Sequence, residues 1–175
     1  MKYPPYTASA PLKVNDGNSL NDWLSAQNPQ GDFLDVNVWV VLASPEHKHH
    51  KHALSYWAAV QQANRQVWFC RTTMLGMVRL LSQRAMKGDH VLKLQAAYAL
   101  YREFLGLPFV HWLPETVSRS KQIDSQMFKL LGDIPSRMST DAYLAAVAQS
   151  TGLRMVTFDA DFKRFDLEGL LLLAA

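Results

Sequence analysis

Cysteine is nearly absent from this 175-residue chain: Cys70 stands alone, which excludes an internal disulfide and any zinc site built from cysteines. Its neighbours Val67, Trp68 and Phe69 place it in an apolar run, where a small buried hydrophobe is expected rather than a reactive thiol. No stretch approaches the ~18 uninterrupted apolar residues of a membrane span. There is no internal repeat and no low-complexity tract. The opening Met1-Lys2-Tyr3-Pro4-Pro5-Tyr6 lacks the apolar core and small-residue cleavage site of a secretion signal, so a cytoplasmic protein without membrane insertion is expected.

What is present suits one soluble unit. An apolar fraction of 49% and a charged fraction of 19% can fill a single core at this length, but not two comfortable ones. The formal net charge of +3 and the pI near 9.0 favour a polyanionic partner, because a basic surface concentrates nucleic acid and steers its approach. Residues 1–32 are polar and punctuated by Pro4, Pro5, Pro11, Gly17, Pro29 and Gly31, which reads as an extended arm. Within it, Ser19 is placed to cap a short helix through Gln27, with Leu20, Trp23 and Leu24 on one face.

From Phe33 to the C-terminus, strand and helix patterns alternate. Strands are expected at Phe33–Val36, Val67–Cys70, Phe109–Trp112 and Arg154–Thr157, with a fifth at one edge over Leu170–Leu173. Helices are expected at Val38–Ala43, His49–Ala63, from Thr72 with Leu75, Val78 and Leu81 on its apolar face, at Val91–Leu105 and Ser120–Leu131, and from a Thr140 cap to Gly152. Strands separated by helices argue for a parallel sheet covered on both faces.

Three aspartates end short apolar runs or open a helix: Asp35 after Phe33-Leu34, Asp159 after Val156-Thr157-Phe158, and Asp141 after Ser139-Thr140. Each alone has a bland reading, as a helix cap or a macrodipole partner. Together they are hard to explain as independent caps, because open α/β sheets bind ligands at the carboxyl ends of their strands. Gathered anions repel unless a cation sits among them, and hard oxygen ligands favour Mg²⁺ or Mn²⁺ over zinc.

The segments Leu34-Asp35-Val36-Asn37, Thr72 through Leu81, Thr140-Asp141-Ala142-Tyr143-Leu144-Ala145-Ala146 and Val156-Thr157-Phe158-Asp159 together resemble the PIN-domain ribonucleases of the VapC toxin type. The resemblance covers roughly residues 33 to 173, with the motifs in the family's order. It implies a three-layer α/β/α sandwich around a mainly parallel sheet of four to five strands, spanning 33–175. It also implies a Mg²⁺-dependent endoribonuclease, with Mn²⁺ able to substitute, that is silenced by a cognate antitoxin and pairs as a homodimer. Asp35, Asp141 and Asp159 match the family's acidic metal-binding residues. Asn37 matches the polar residue that follows the first of them. Where many members carry a further acid, this chain has Met74, and Asp161 is the nearest spare carboxylate. Arg79 is a candidate for orienting substrate phosphate or pairing with an acid.

Two other readings follow from the same residues. Loss of the acid at Met74 suits a catalytically weakened PIN-like protein that binds RNA or regulates. A metal-dependent nuclease acting on DNA is the other. The run His47-Lys48-His49-His50-Lys51-His52 suggests zinc, but its lysines repel a cation, so a solvated helix start or, with Arg65, an RNA-backbone contact is expected. Trp57, Trp68 and Trp112 are expected in the core, whereas Trp39 is near enough to Asp35 in sequence to affect substrate access.

Overall fold

Five short strands form one parallel sheet: β1 (Asp32–Leu34), β2 (Val67–Phe69), β3 (Val110–Trp112), β4 (Arg154–Thr157) and β5 (Leu170–Leu172), in the order β3-β2-β1-β4-β5. The computed structural model describes residues 31–83, 90–132 and 134–173. The expected Ser19–Gln27 helix and the middle of the Gly132–Pro135 turn lie outside them.

Alternate side chains of the two central strands go to opposite layers. Leu34 and Val156 enter one core with α1 (Val36–Leu42), α2 (His50–Gln62), α3 (Arg71–Leu81) and α4 (Leu94–Leu105). Phe33 and Met155 enter the other with α5 (Val117–Leu131) and α6 (Ser139–Thr151). The result is the expected α/β/α sandwich. Cys70 is buried in the second core, and burial raises its thiol pKa, consistent with a packing role.

The helices differ in detail from the pattern reading. In α3 the buried positions are Thr73, Met74, Met77 and Leu81, while Leu75 is 56% exposed. Leu75-Val78 and Met74-Met77 are both apolar pairs at helical spacing, so periodicity alone does not choose between the stripes. Gly76 settles the fit on the neighbouring helix: a Cβ there would stand 2.7 Å from Val36 Cγ2, so α3 rests directly on the first turn of α1. The α6 start is also earlier than Thr140 implies, because a 3₁₀ turn over Ser136–Met138 runs straight into it and makes Met138 the residue before the helix. Gly152 ends α6 in the left-handed conformation, φ 66°. Among the described residues, no helix is long and apolar enough to cross a membrane.

Strand β1 begins at Asp32, one residue inside what reads as the arm. Register explains why a charged residue belongs there: Asp32 pairs with Arg154 across the β1–β4 ladder. Both are essentially solvent-free, and Arg154 donates through Nε and Nη2 to the two carboxylate oxygens at 2.9 and 2.7 Å. Arg65 adds an Nε bond of 2.6 Å and the Tyr56 hydroxyl one of 2.8 Å. Arg65 is therefore committed to this ion cluster and is not part of a surface for RNA.

Candidate active site

The same register that joins Asp32 to Arg154 sets Asp35 beside Thr157. Leu34 pairs with Val156, the Asp35 amide donates to the Val156 carbonyl at 2.9 Å, and the chain then turns into α1. Asp35 precedes the helix, but its carboxylate makes no capping hydrogen bond. Instead Oδ2 accepts from the Thr157 hydroxyl at 2.7 Å and from Asn37 Nδ2 at 2.6 Å. Thr157 Oγ1 in turn accepts from Asn37 Nδ2 and from the Asp159 amide, at 2.9 and 3.0 Å, so its one donor and both lone pairs are used. The other end of the Asn37 amide accepts from the Phe158 N–H at 3.3 Å, which fixes the side chain's orientation.

The remaining acids arrive from separate elements. Asp141 occupies the first turn of α6 and is half-buried. Asp159 follows β4, is exposed, and caps a 3₁₀ turn over Ala160–Phe165 by accepting from the Asp161 amide at 2.8 Å. Asp161 faces Arg137 and Arg164 at 3.7 and 3.5 Å.

Electrostatics couples these groups. The Asp35 carboxyl is 6% exposed, and its pKa rises from 3.8 to about 6. Burial is the main cause; the Thr157 bond and the Val36 amide oppose it, and the charges of Asp141 and Asp159 add to it. Asp141 is shifted upward too, by desolvation first and then by Asp159 and Asp161, with Arg137 opposing. Three elements thus bring negative charge to one strand edge without enough positive charge to balance it. The donors are carboxylate oxygens, the ligand chemistry of a hard divalent cation. Among the described residues, no three His, Cys, Asp or Glu side chains stand close enough to enclose an ion unaided. Mg²⁺ commonly keeps several waters and takes only one or two carboxylates directly, so a loosely gathered acidic group is compatible with it.

Other residues singled out from the sequence are placed differently. Met74 is buried in the core beneath α1, so α3 contributes no carboxylate at that position. Arg79 is exposed in the last turn of α3, ~12 Å along the axis from the helix start beside the strand edge. Trp39 is fully buried and stacks on Phe69 with ring centroids 3.6 Å apart, so it packs the core rather than controlling access. Three participants escaped the sequence reading, Arg164 beside Asp161 among them. Thr157 holds Asp35, and its only local signal is a hydroxyl two residues before Asp159. Arg137 sits near Asp141 and Asp161 through the turn that starts α6, which no local pattern announces.

The histidine run lies close to this edge. His49 stacks on Phe158, centroids 5.4 Å apart and planes 21° apart, and is flanked by His47 and His52 at 5.4 and 6.2 Å. Desolvation, then the charges of Lys48 and His52, lower the His49 pKa.

Residues 33–168 match the family described as PIN domain. The chain is 31% identical over 145 residues to ribonuclease VapC41 of Mycobacterium tuberculosis, an alignment covering 81% of this chain and 98% of that protein. Ribonuclease VapC37 of the same organism is 27% identical over 134 residues, covering 77% and 91%. Among solved structures, M. tuberculosis VapC20, described as a sarcin-ricin loop cleaving toxin, aligns with a TM-score of 0.57 at 19% identity, covering 81% of this chain and 99% of that one. VapBC2 from Rickettsia felis, bound to a DNA fragment from its promoter, aligns at 0.56 with 16% identity, covering 79% and 95%. At these identities the two structures speak to fold.

Proposed function

This chain belongs to the PIN-domain family, and from that membership and its acidic strand edge we propose that it is a divalent-cation-dependent endoribonuclease, the toxin of a toxin–antitoxin pair. Its relatives VapC41 and VapC37 are named ribonucleases. The observation that carries the reading is Asp35: a carboxylate buried at a strand end, hydrogen-bonded in place, and raised to about 6 partly by two neighbouring acids rather than quieted by an arginine.

Asp35 and Asp141, supported by Asp159, would hold Mg²⁺, with Mn²⁺ as a substitute. When bound, the ion would stabilise charge on the scissile phosphate and make a coordinated water more acidic. The chain's own residues do the positioning. Thr157 and Asn37 fix the rotamer of Asp35, and at neutral pH a group with a pKa of about 6 is largely ionised, hence able to ligate. Arg137 and Arg164, exposed around Asp161, supply positive charge where an approaching phosphodiester would otherwise meet only carboxylates. Water adds to phosphorus, the P–O3′ bond breaks, and the products carry a 5′ phosphate and a 3′ hydroxyl.

Met74 in the core favours a second reading, a PIN-like protein that binds RNA without cutting it. Purified full-length chain decides between them. Cleavage of RNA in Mg²⁺ that disappears with chelator and in Asp35→Asn supports the enzyme, whereas binding without cleavage under any divalent ion supports the alternative.

Two partnerships belong to the same proposal. An antitoxin is expected by analogy with the R. felis VapBC2 complex. Homodimerisation is supported by Leu75, Leu94 and Tyr98, which are 56%, 66% and 46% exposed on the packed pair α3 and α4. Light scattering at micromolar concentration tests it, and a monomer there would refute the dimer.

A further inference from the structure

Phe158 stands between Thr157, which holds Asp35, and Asp159, and its backbone N–H bonds to Asn37. Its backbone therefore lies at the acidic edge, while its ring packs against the core of α1 to α4. The ring is only half-buried and lies near-parallel to the half-buried His49 imidazole, 5.4 Å between centroids. Such an offset stack leaves part of each face uncovered. Lys48 and Lys51 are exposed next to it in the chain and supply the positive charge that a phosphate backbone needs.

We propose that the His49–Phe158 ring pair is a stacking platform for one unpaired base of the RNA, adjacent to the phosphate that is cut. The proposal rests on the ribonuclease reading. Single-stranded RNA offers splayed bases that extend an aromatic stack, and stacking tolerates any base because every base has a π-face. Neither side chain presents a set of hydrogen-bonding groups matched to one base edge, so the platform contributes affinity and placement rather than sequence choice. Desolvation, with the charges of Lys48 and His52, lowers the His49 pKa and so disfavours the charged ring.

The test uses the full-length chain carrying Asp35→Asn, so that RNA is bound and not cut. Affinity for fluorescein-labelled oligo(A) and oligo(U) is measured by fluorescence anisotropy, in that background and with His49→Ala, Phe158→Ala or His49→Phe added. The two alanine variants should each weaken both oligonucleotides about 10-fold, while His49→Phe, which keeps a flat ring and discards the imidazole nitrogens, should bind as the background does. Because His49 lies in the turn before α2, its alanine variant carries the test even if Phe158→Ala fails to fold. Undiminished binding by His49→Ala, or His49→Phe binding as weakly as His49→Ala, would overturn the platform. If the variants bind undiminished while wild type cuts RNA, only the platform falls; if wild type neither binds nor cuts RNA, the ribonuclease reading falls and takes the platform with it.

Discussion

Asp32 and Asp35 bracket the same short strand, and both are buried, yet they do opposite things. At the entry of β1, Asp32 meets Arg154, Arg65 and the Tyr56 hydroxyl, so each carboxylate oxygen is bonded and its charge is matched. At the exit, Asp35 meets only neutral donors, Thr157, Asn37 and the Val36 amide, with two further acids beyond. A buried charge with its counter-charge is architecture. A buried charge left short of one is a place where a cation would be favoured, and its raised pKa measures the shortfall.

The largest expected effect lies at the matched end. Asp32→Asn removes the carboxylate charge that Arg154 and Arg65 both bond and should cost about 3–5 kcal/mol in urea unfolding. If it unfolds like wild type, the ion cluster is not what secures β1. The unmatched end should respond with opposite sign: Asp35→Asn keeps both hydrogen bonds, removes the repelled charge, and should stabilise the cation-free protein by about 2 kcal/mol at pH 7. The same change should lower RNA cleavage by more than about 100-fold. A variant that is both less stable and fully active would erase the contrast.

Acidity sharpens the comparison further. Between pH 3.8 and about 6 the folded chain still holds the Asp35 proton that the unfolded chain has released. Stability from this group is therefore greatest at the acid end and falls as pH rises through that window, by about 3 kcal/mol at most, then stays level. Urea unfolding at a series of pH values in chelator should show the decline in wild type and not in Asp35→Asn. Thr157→Val removes the bond that restrains Asp35 and should cost about 1 kcal/mol while reducing cleavage. Asp161→Asn disturbs only exposed ion pairs and should change stability by less than about 0.5 kcal/mol.

The two aspartates also differ in how far they could be read in advance. Asp35 is legible because the strand before it is apolar and the helix after it begins at once; the chain direction alone puts it at a carboxyl end. Asp32 ends the polar, Pro- and Gly-punctuated stretch that reads as an arm. Its burial depends on Arg154, which is 122 positions away and reaches it only through strand register. Thr157 is hard to read for the same reason: its value lies in facing Asp35 across the ladder. On α3, two apolar stripes have equal periodicity, and only the burial of Met74 and Met77 against the neighbouring helices shows which one faces inward.

Local pattern by itself determined the alternation of strands and helices, the parallel sandwich and the three acids at its edge, because each follows from hydrophobic period and chain direction over a few residues. Tertiary structure decided how each buried acid at an end of β1 is partnered. Whether a buried carboxylate is neutralised or left in need of a cation depends on which distant side chain the register sets beside it: an arginine for Asp32, a threonine for Asp35.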